Sequence, residues 1–599
     1  MTAAVINVPK ARAVLNVPQA RAWRGLPSLA VAIVVVLAAA SLAPTSGYIL
    51  NIVMQAATYA IGVAGLVVVL GYCGQISLAQ AAFFGLGAYG VGLGTTDFGL
   101  PFVVALLAGI ALATAFGILL GLASLRLGGH YLAMVTISFQ QILTLVLNNW
   151  TGLTHGPDGV KSIPRPGFQG IDLARGDHYL ALCLVVLMVV TWYAWRLKTS
   201  RLGRAMQAVR DNEIAASTCG IDIFRTKVLA FGISALLGGL GGGMFAGAFA
   251  YISPDQFTFG ESIVLLTMAL LGGVQSPFGA LLGTTLLVLL PEWLRFLKNV
   301  YLAVYGAAVI LIMVFLPDGL WGAVASRLRR AKPIEGEVAP LPLLAQTGTD
   351  SVEVALDIKG LAKHFGGLKA LDGVDMAVRR GTVHALIGPN GSGKTTFINV
   401  TTGLYRPTAG RIAIAGRDVT GTQPHERTRL GLARTYQNIR VFKGMTVLEN
   451  VMVGAERPGN DIAEQPAEVV ARALAALDFV GLRHDANRMV GTLSYGYQRY
   501  VEIARALASS PHVLLLDEPA AGLNLTEKHE LGLLLRRLKG HGLTILIVDH
   551  DMNLVEQVAD HITVLNFGRR IADGAPRDVL SHPDVIAAYL GEPRQDAAA

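Results

Sequence analysis

From residue 28 to residue 316 the chain is a succession of apolar runs parted by short polar breaks. The runs lie near 28–44, 48–70, 76–95, 101–120, 131–148, 178–195, 228–250, 261–290 and 300–316. A bilayer-crossing helix needs about 20 apolar residues, so these runs predict a helical membrane domain of about 8–10 spans. Within 261–290 the stretch GGVQSPFG (Gly272–Gly279) breaks a helix. It predicts either two short spans or a re-entrant hairpin, with irregular backbone buried in protein. After residue 352 the period changes: short aliphatic and β-branched runs alternate with helical stretches, the signature of an α/β domain. Residues 331–352, rich in Pro, Gly and small side chains, read as a linker. The expected organisation is a membrane domain over 1–330, the linker, and an α/β domain over 353–599.

Charge orients this picture. Residues 1–330 carry 20 Lys+Arg against 11 Asp+Glu, whereas residues 331–599 carry 29 against 30. The basic excess therefore sits in the apolar half, as the positive-inside rule requires of cytoplasmic loops, and it does not point to nucleic acid. The loop 196–227 holds seven Lys or Arg and is expected in the cytoplasm, as is the tail after the last span. Alternation of the spans then puts 149–177 outside. Cys73, Cys183 and Cys219 have no metal-ligand spacing and read as small buried side chains. The basic leader before residue 30 is long and apolar spans follow at once, so a retained first span is expected over a cleaved signal. No ionisable residue lies centrally in a span, so a route lined by proton- or ion-relay groups is not apparent, which suits a small neutral or zwitterionic solute.

The second half carries the chemistry. Ala385–Ile387 is an apolar strand entering Gly388-Pro389-Asn390-Gly391-Ser392-Gly393-Lys394-Thr395-Thr396, a G-x-x-x-x-G-K-[ST] loop. Its glycines let successive backbone N–H groups face one concavity that cradles phosphates, with the following helix N-terminus adding its positive end. Lys394 can reach the β- and γ-phosphates of ATP and the Thr395 hydroxyl can ligate Mg²⁺. Val513–Leu516 is a buried strand ending in two acids. Asp517 suits the metal side, and Glu518 is placed to orient and polarise an attacking water. A third aliphatic strand, from Ile545, ends at His550.

This order of motifs resembles the nucleotide-binding domain of ABC transporters over roughly residues 353–599. The resemblance implies that Phe365 stacks on adenine and that Gln437, in RTYQNIRVF, is the Q-loop glutamine touching Mg²⁺ and the membrane domain. It gives His550 a catalytic role. LSYGYQ resembles the signature segment, where Ser494 and Gly496 would cap the γ-phosphate held by the opposite subunit. Tyr495 and Tyr497 depart from its commonest form. Asn524 stands where the D-loop usually has Asp, which bears on communication between the two ATP sites.

The first half resembles permease subunits of branched-chain amino acid importers, through Gly71–Leu93, Gly128–Leu143 and Ser200–Leu236. Asn566–Gly591 is similar to the tail of those importers' ATPase subunits. The resemblance implies a fusion of two subunits usually made separately. Glu213, Ala215, Ala216 and Gly220 look like the coupling loop that inserts into the ATPase. The glycine-punctuated 71–93 segment serves either helix packing or solute contact. The expected function is ATP-driven import of branched-chain or other neutral amino acids across the cytoplasmic (inner) membrane. Expected partners are a second permease, a second ABC ATPase (or a second copy of this chain), an extracytoplasmic solute-binding protein and membrane lipid. Urea, short amides or aromatic acids are alternative solutes, and an ABC exporter is the reading from another class.

Overall fold

The computed structural model describes residues 47–123, 129–167, 175–294, 296, 301–328, 353–456 and 466–590. The candidate span 28–44, the linker 331–352 and residues 168–174 of the external loop lie outside them. The described residues form two compact units, one ending at Leu328 and one starting at Glu353.

In the first unit each apolar run after residue 47 becomes a helix or a pair of helices: α1 (Gly47–Leu66), α2 (Gln80–Thr96), α3 (Phe102–Ala123), α4 (His130–Asn149), α5 (Gly176–Thr199), α6 (Arg201–Asp211), α7 (Glu213–Thr218), α8 (Ile223–Phe249), α9 (Phe259–Gly272), α10 (Pro277–Trp293), α11 (Tyr301–Phe315) and α12 (Gly319–Leu328). Among the described residues, five helices are long and apolar enough to cross a membrane: α1 with its continuation to Tyr72, α3, α4, α5 and α8. The runs 76–95 and 300–316 give shorter helices of 17 and 15 residues. The run 261–290 is the pair α9–α10, bent by 118° at Gly273–Ser276. Pro277 at the first turn of α10 cannot continue the α9 ladder, and Gly273 adopts φ +106°, so the break is built into the sequence.

Glycines decide how closely these helices approach. A Cβ on Gly87 of α2 would overlap the Gly239 carbonyl of α8, and one on Gly242 of α8 would overlap the Phe84 carbonyl. The helix backbones thus touch directly, as small residues allow in a bilayer. Of the two readings of the 71–93 glycines, Gly87 and Gly90 answer to packing, Gly90 lying against the Gly109 backbone of α3. Cys73 and Cys183 are buried and Cys219 half-buried; all three are free thiols.

The second unit is the α/β domain. A six-stranded sheet has the order β10-β9-β3-β8-β7-β6. Its strands are β3 (Val383–Ile387), β6 (Leu432–Arg434), β7 (Val513–Asp517), β8 (Thr544–Val548), β9 (His561–Asn566) and β10 (Arg569–Gly574). All pairs are parallel except β9–β10. The central strands β3, β7 and β8 are buried at every position, which is why they read as unbroken aliphatic runs. A four-stranded antiparallel sheet, β2-β1-β4-β5, comprises β1 (Val354–Phe365), β2 (Leu368–Arg379), β4 (Ala409–Ile414) and β5 (Arg417–Asp418). The larger helices of this unit are α13 (Lys394–Thr401), α14 (Val447–Ala455), α15 (Pro466–Phe479), α16 (Tyr495–Ala508) and α17 (Leu525–Gly540).

Candidate functional site

Strand β3 delivers its C-terminal end into the 388–393 loop, and α13 starts at Lys394. The loop needs its glycines: Gly388, Gly391 and Gly393 have φ of +151°, +81° and +103°. A side chain on Gly393 would also run into the Ala370 carbonyl of β2. Asn390 and Gly391 are exposed, Pro389 half-buried, and Ser392 buried with its Oγ lacking any hydrogen-bond partner. Lys394 folds over the loop, its Nζ donating to the carbonyls of Gly388 (2.6 Å) and Pro389 (2.9 Å). Burial pushes the Lys394 ammonium down, while Glu518 and Asp517 act in the opposite sense. Thr395 is exposed and Thr396 half-buried at the head of α13.

The parallel sheet brings three residues from three separate segments to this strand edge. Gln437 Nε2 donates to Glu518 Oε2 at 2.7 Å, and His550 Nδ1 lies 3.5 Å from the same oxygen. Glu518 has φ +45°, unusual for a non-glycine residue. Its N–H donates to the Val548 carbonyl at 2.6 Å and its carbonyl accepts from Ala521 N–H, so a turn begins there immediately after β7. Asp517, close enough to Lys394 to act on its charge, also has a second partner: its Oδ2 accepts from Arg434 at 2.9 Å, and both side chains are buried. Arg434 also donates to Asn399 Oδ1 within α13 and to Thr402 Oγ1, which caps its C-terminus. Arg434 escaped sequence reasoning. The only hint was a basic residue beside the Q-loop glutamine.

A second group of residues missed from sequence joins the Q-loop to α16. Arg499 donates to the carbonyls of Tyr436 and Gln437, the latter at 2.7 Å. Glu502 lies 3.2 Å from Arg499 and 3.6 Å from Arg505, and its Oε1 accepts from Arg440 N–H. All three side chains are buried. Burial pushes the Glu502 carboxyl up, against the lowering by Arg505 and Arg499. The i, i+3, i+6 spacing of Arg499, Glu502 and Arg505 was the available signal, since it puts them on one helix face.

Ser494 is the exposed N-cap residue of α16, and Gly496 is buried against Glu527, whose carboxylate a Cβ would meet at 2.6 Å. Asn524 caps α17: its Oδ1 accepts from Glu527 N–H, and Glu527 returns a bond to Asn524 N–H. An Asp would cap as well, so the capping itself does not depend on the substitution. Phe365 ends β1 at the hairpin tip, 43% exposed, edge-on to Tyr405 at 5.5 Å and with Lys363 Nζ 4.9 Å from its ring centre.

In the first unit Glu213 opens α7, and its carboxylate pairs with Lys227 at 2.7 Å. Ala215 and Ala216 are fully buried, and within 213–220 the exposed side chains are Glu213 and Ile214. Gly220 has φ +90°, closing the turn with Ile221 N–H donating to the Ala216 carbonyl. The alanines of the motif thus seat the short helix on its own unit, and the adjacent Glu213–Ile214 edge is what it presents outward. A buried polar network inside the helices was also missed. Gln80 Nε2 donates to the Gly62 carbonyl and its Oε1 accepts from Ser234. Gln140 receives Ser262 and donates to the Phe257 carbonyl, while Ser262 receives Ala81 N–H. Polar residues inside apolar runs were the signal.

Three sequence families match the chain. "Branched-chain amino acid transport system / permease component" covers residues 48–316, "ABC transporter" 371–521, and "Branched-chain amino acid ATP-binding cassette transporter" 569–594. The high-affinity branched-chain amino acid transport ATP-binding protein BraF of Pseudomonas aeruginosa is 45% identical over 249 residues, 40% of this chain and 98% of that protein. The corresponding LivG protein of Escherichia coli K12 is 41% identical over 249 residues, again 40% and 98%. A solved nucleotide-free ATP-binding cassette from an ABC transporter is 37% identical, with 40% of this chain and all of that chain covered and a TM-score of 0.37. Nearly the whole of an ATP-binding subunit is therefore present, preceded in the same polypeptide by a permease segment. The chain belongs to the branched-chain amino acid ABC transporter family, as a membrane protein that joins a permease component to an ATP-binding, ATP-hydrolysing cassette on its cytoplasmic side.

Proposed function

We propose that the chain drives import of branched-chain or other neutral amino acids across the cytoplasmic (inner) membrane. In this reading it is one half of a heteromeric assembly with a second permease, a second ABC ATPase and an extracytoplasmic solute-binding protein. One observation carries it: a permease match over 48–316 and a nearly complete branched-chain amino acid ATP-binding subunit lie in one chain.

In the ATP cycle, Lys394 exchanges the Gly388 and Pro389 carbonyls for phosphate oxygens, and backbone N–H groups of 388–393 hold the remaining phosphate charge. The buried, unpartnered Ser392 hydroxyl fits a phosphate acceptor at this point. Phe365 offers its exposed ring to adenine. Thr395, Asp517 and Gln437 would hold Mg²⁺, whose charge would offset that on the phosphates. Glu518, already hydrogen-bonded by Gln437 and near His550, orients and deprotonates the attacking water, with His550 steadying the γ-phosphate side. Ser494 and Gly496 serve the nucleotide of the partner ATPase, which agrees with the exposed Ser494. The Glu213–Ile214 edge, closed off by Gly220, engages an ATPase and carries coupling.

The test is reconstitution in vesicles with candidate partners and a binding protein, measuring uptake and ATP turnover across neutral amino acids, urea, amides and aromatic acids. Stimulation by the neutral amino acids, and only with a second permease–ATPase pair, is the expected result. Uptake by this chain with a binding protein alone overturns the heteromeric reading, and stimulation confined to urea, amides or aromatic acids overturns the solute assignment.

A further inference from the structure

At the end of the parallel sheet away from the phosphate loop, three side chains from three adjacent strands meet. Register places His561 of β9 directly beside His384 of β3, and pairs Thr563 with Asp573 across β9–β10. One nitrogen from each imidazole and one Asp573 carboxylate oxygen lie within 4.8 Å of one another. Asp573 Oδ1 accepts from Thr563 Oγ1 at 2.5 Å and lies 3.2 Å from His561 Nε2. Thr563 Oγ1 is also 2.8 Å from His384 Nε2. The cluster lines a cavity of ≈ 580 Å³ between the two sheets, whose other walls include Asp357, Asp375 and Arg379.

We infer that His384, His561 and Asp573 form a binding site for one divalent transition-metal ion of the zinc class, separate from the nucleotide site. Two imidazoles and one carboxylate are the donor set that Zn²⁺, Co²⁺ and Ni²⁺ favour, whereas Mg²⁺ and Ca²⁺ favour oxygen alone. Bonds of about 2.0–2.2 Å to a tetrahedral ion put donors roughly 3.3 Å apart, so closure needs movements on the order of 1 Å. His384 is rigid, 2% exposed in a central strand. The movement falls to His561 and Asp573, whose side chains are 40% and 35% exposed. The ion sits between His561 Nε2 and Asp573 Oδ1, replacing their present 3.2 Å contact. Thr563 stays behind the ligands, holding the carboxylate and the His384 ring in the outer-shell position that metal sites commonly use. A water facing the cavity completes the coordination. The neighbouring Asp560 is already engaged by Val383 N–H and Lys539, and Asp375 by Gly360 N–H, which leaves these three as the converging donors.

The test uses the purified full chain, stripped with a chelator and dialysed, with Zn²⁺ and Co²⁺ as probes. One equivalent of Zn²⁺ per chain should survive dialysis, with an X-ray absorption spectrum showing two imidazole nitrogens and light oxygen donors. His561→Gln and Asp573→Asn should each weaken Co²⁺ binding, read from its visible absorption, at least 10-fold. Nucleotide affinity, measured without added transition metal, should be unchanged in both variants and so reports that they fold. No tight equivalent in the unsubstituted chain overturns the proposal. So does a spectrum without two imidazoles, or full affinity in folded variants. The spectrum of the unsubstituted chain decides the matter should both variants fail to fold.

Discussion

Replacing Arg434 tests whether the acid at the end of β7 is held by a buried ion pair. The Arg434 and Asp517 side chains are 4% and 8% exposed and lie 2.9 Å apart. Arg434→Met keeps most of the volume but leaves a buried carboxylate without its counter-charge, and removes the donors to Asn399 and Thr402. Breaking such a pair costs about 3–5 kcal/mol. For a domain of 150–250 residues each kcal/mol moves Tm by about 2–4 °C, so the cassette transition should fall by roughly 6–20 °C. Arg434→Lys retains the charge but not the planar fork and should fall less. Lys359→Met supplies the contrast: its pair with Asp357 is 72% and 38% exposed, a class of contact worth about 0–1 kcal/mol. The assay is calorimetric unfolding of the purified full chain without nucleotide. A fall of 3 °C or less for Arg434→Met, or equal falls for Arg434→Met and Lys359→Met, refutes the argument.

Glu518→Gln should retain ATP binding, because an amide oxygen can still accept from Gln437, while turnover at this site falls about 10²–10⁴-fold with the partner site disabled. Lys394→Ala removes a charge-assisted contact of about 1.5–3 kcal/mol and should weaken ATP binding roughly 10–150-fold in a nucleotide titration. Gly220→Val forces a β-branched residue into φ +90°, which disfavours the turn by at least about 1–2 kcal/mol; uptake per ATP should drop while basal ATPase activity stays. Gly87→Leu drives a side chain into the Gly239 backbone and should abolish a monodisperse membrane-extracted protein on size exclusion, whereas Gly47→Leu, with open space around it among the described residues, should not.

Several features were legible in the chain because they are local. The phosphate loop is contiguous: glycines that need positive φ, the lysine and the helix start follow one another, so reading them needs no partner from elsewhere. The broken span at 272–279 is equally local, since Pro277 and Gly273 break the ladder wherever the segment sits. Buried parallel strands announced themselves as aliphatic runs, and the acids at the end of β7 followed from that. Gly220 could be placed at the end of a short helix for the same reason.

What only the folded chain decided depends on register and on which element lies beside which. Nothing near Asp517 in sequence reveals that Arg434, 83 positions earlier, takes its carboxylate, or that Gln437 reaches Glu518. The alanines at 215 and 216 read as an interaction motif, yet burial turns them inward and leaves Glu213 and Ile214 at the surface. His384, His561 and Asp573 span 189 positions and carry no ligand spacing; the pairing of β3, β9 and β10 alone brings them together. Periodicity and backbone conformation are properties of a segment, and the sequence determines them. The company a polar side chain keeps is set by contacts between segments distant in the chain, and only the tertiary structure decides it.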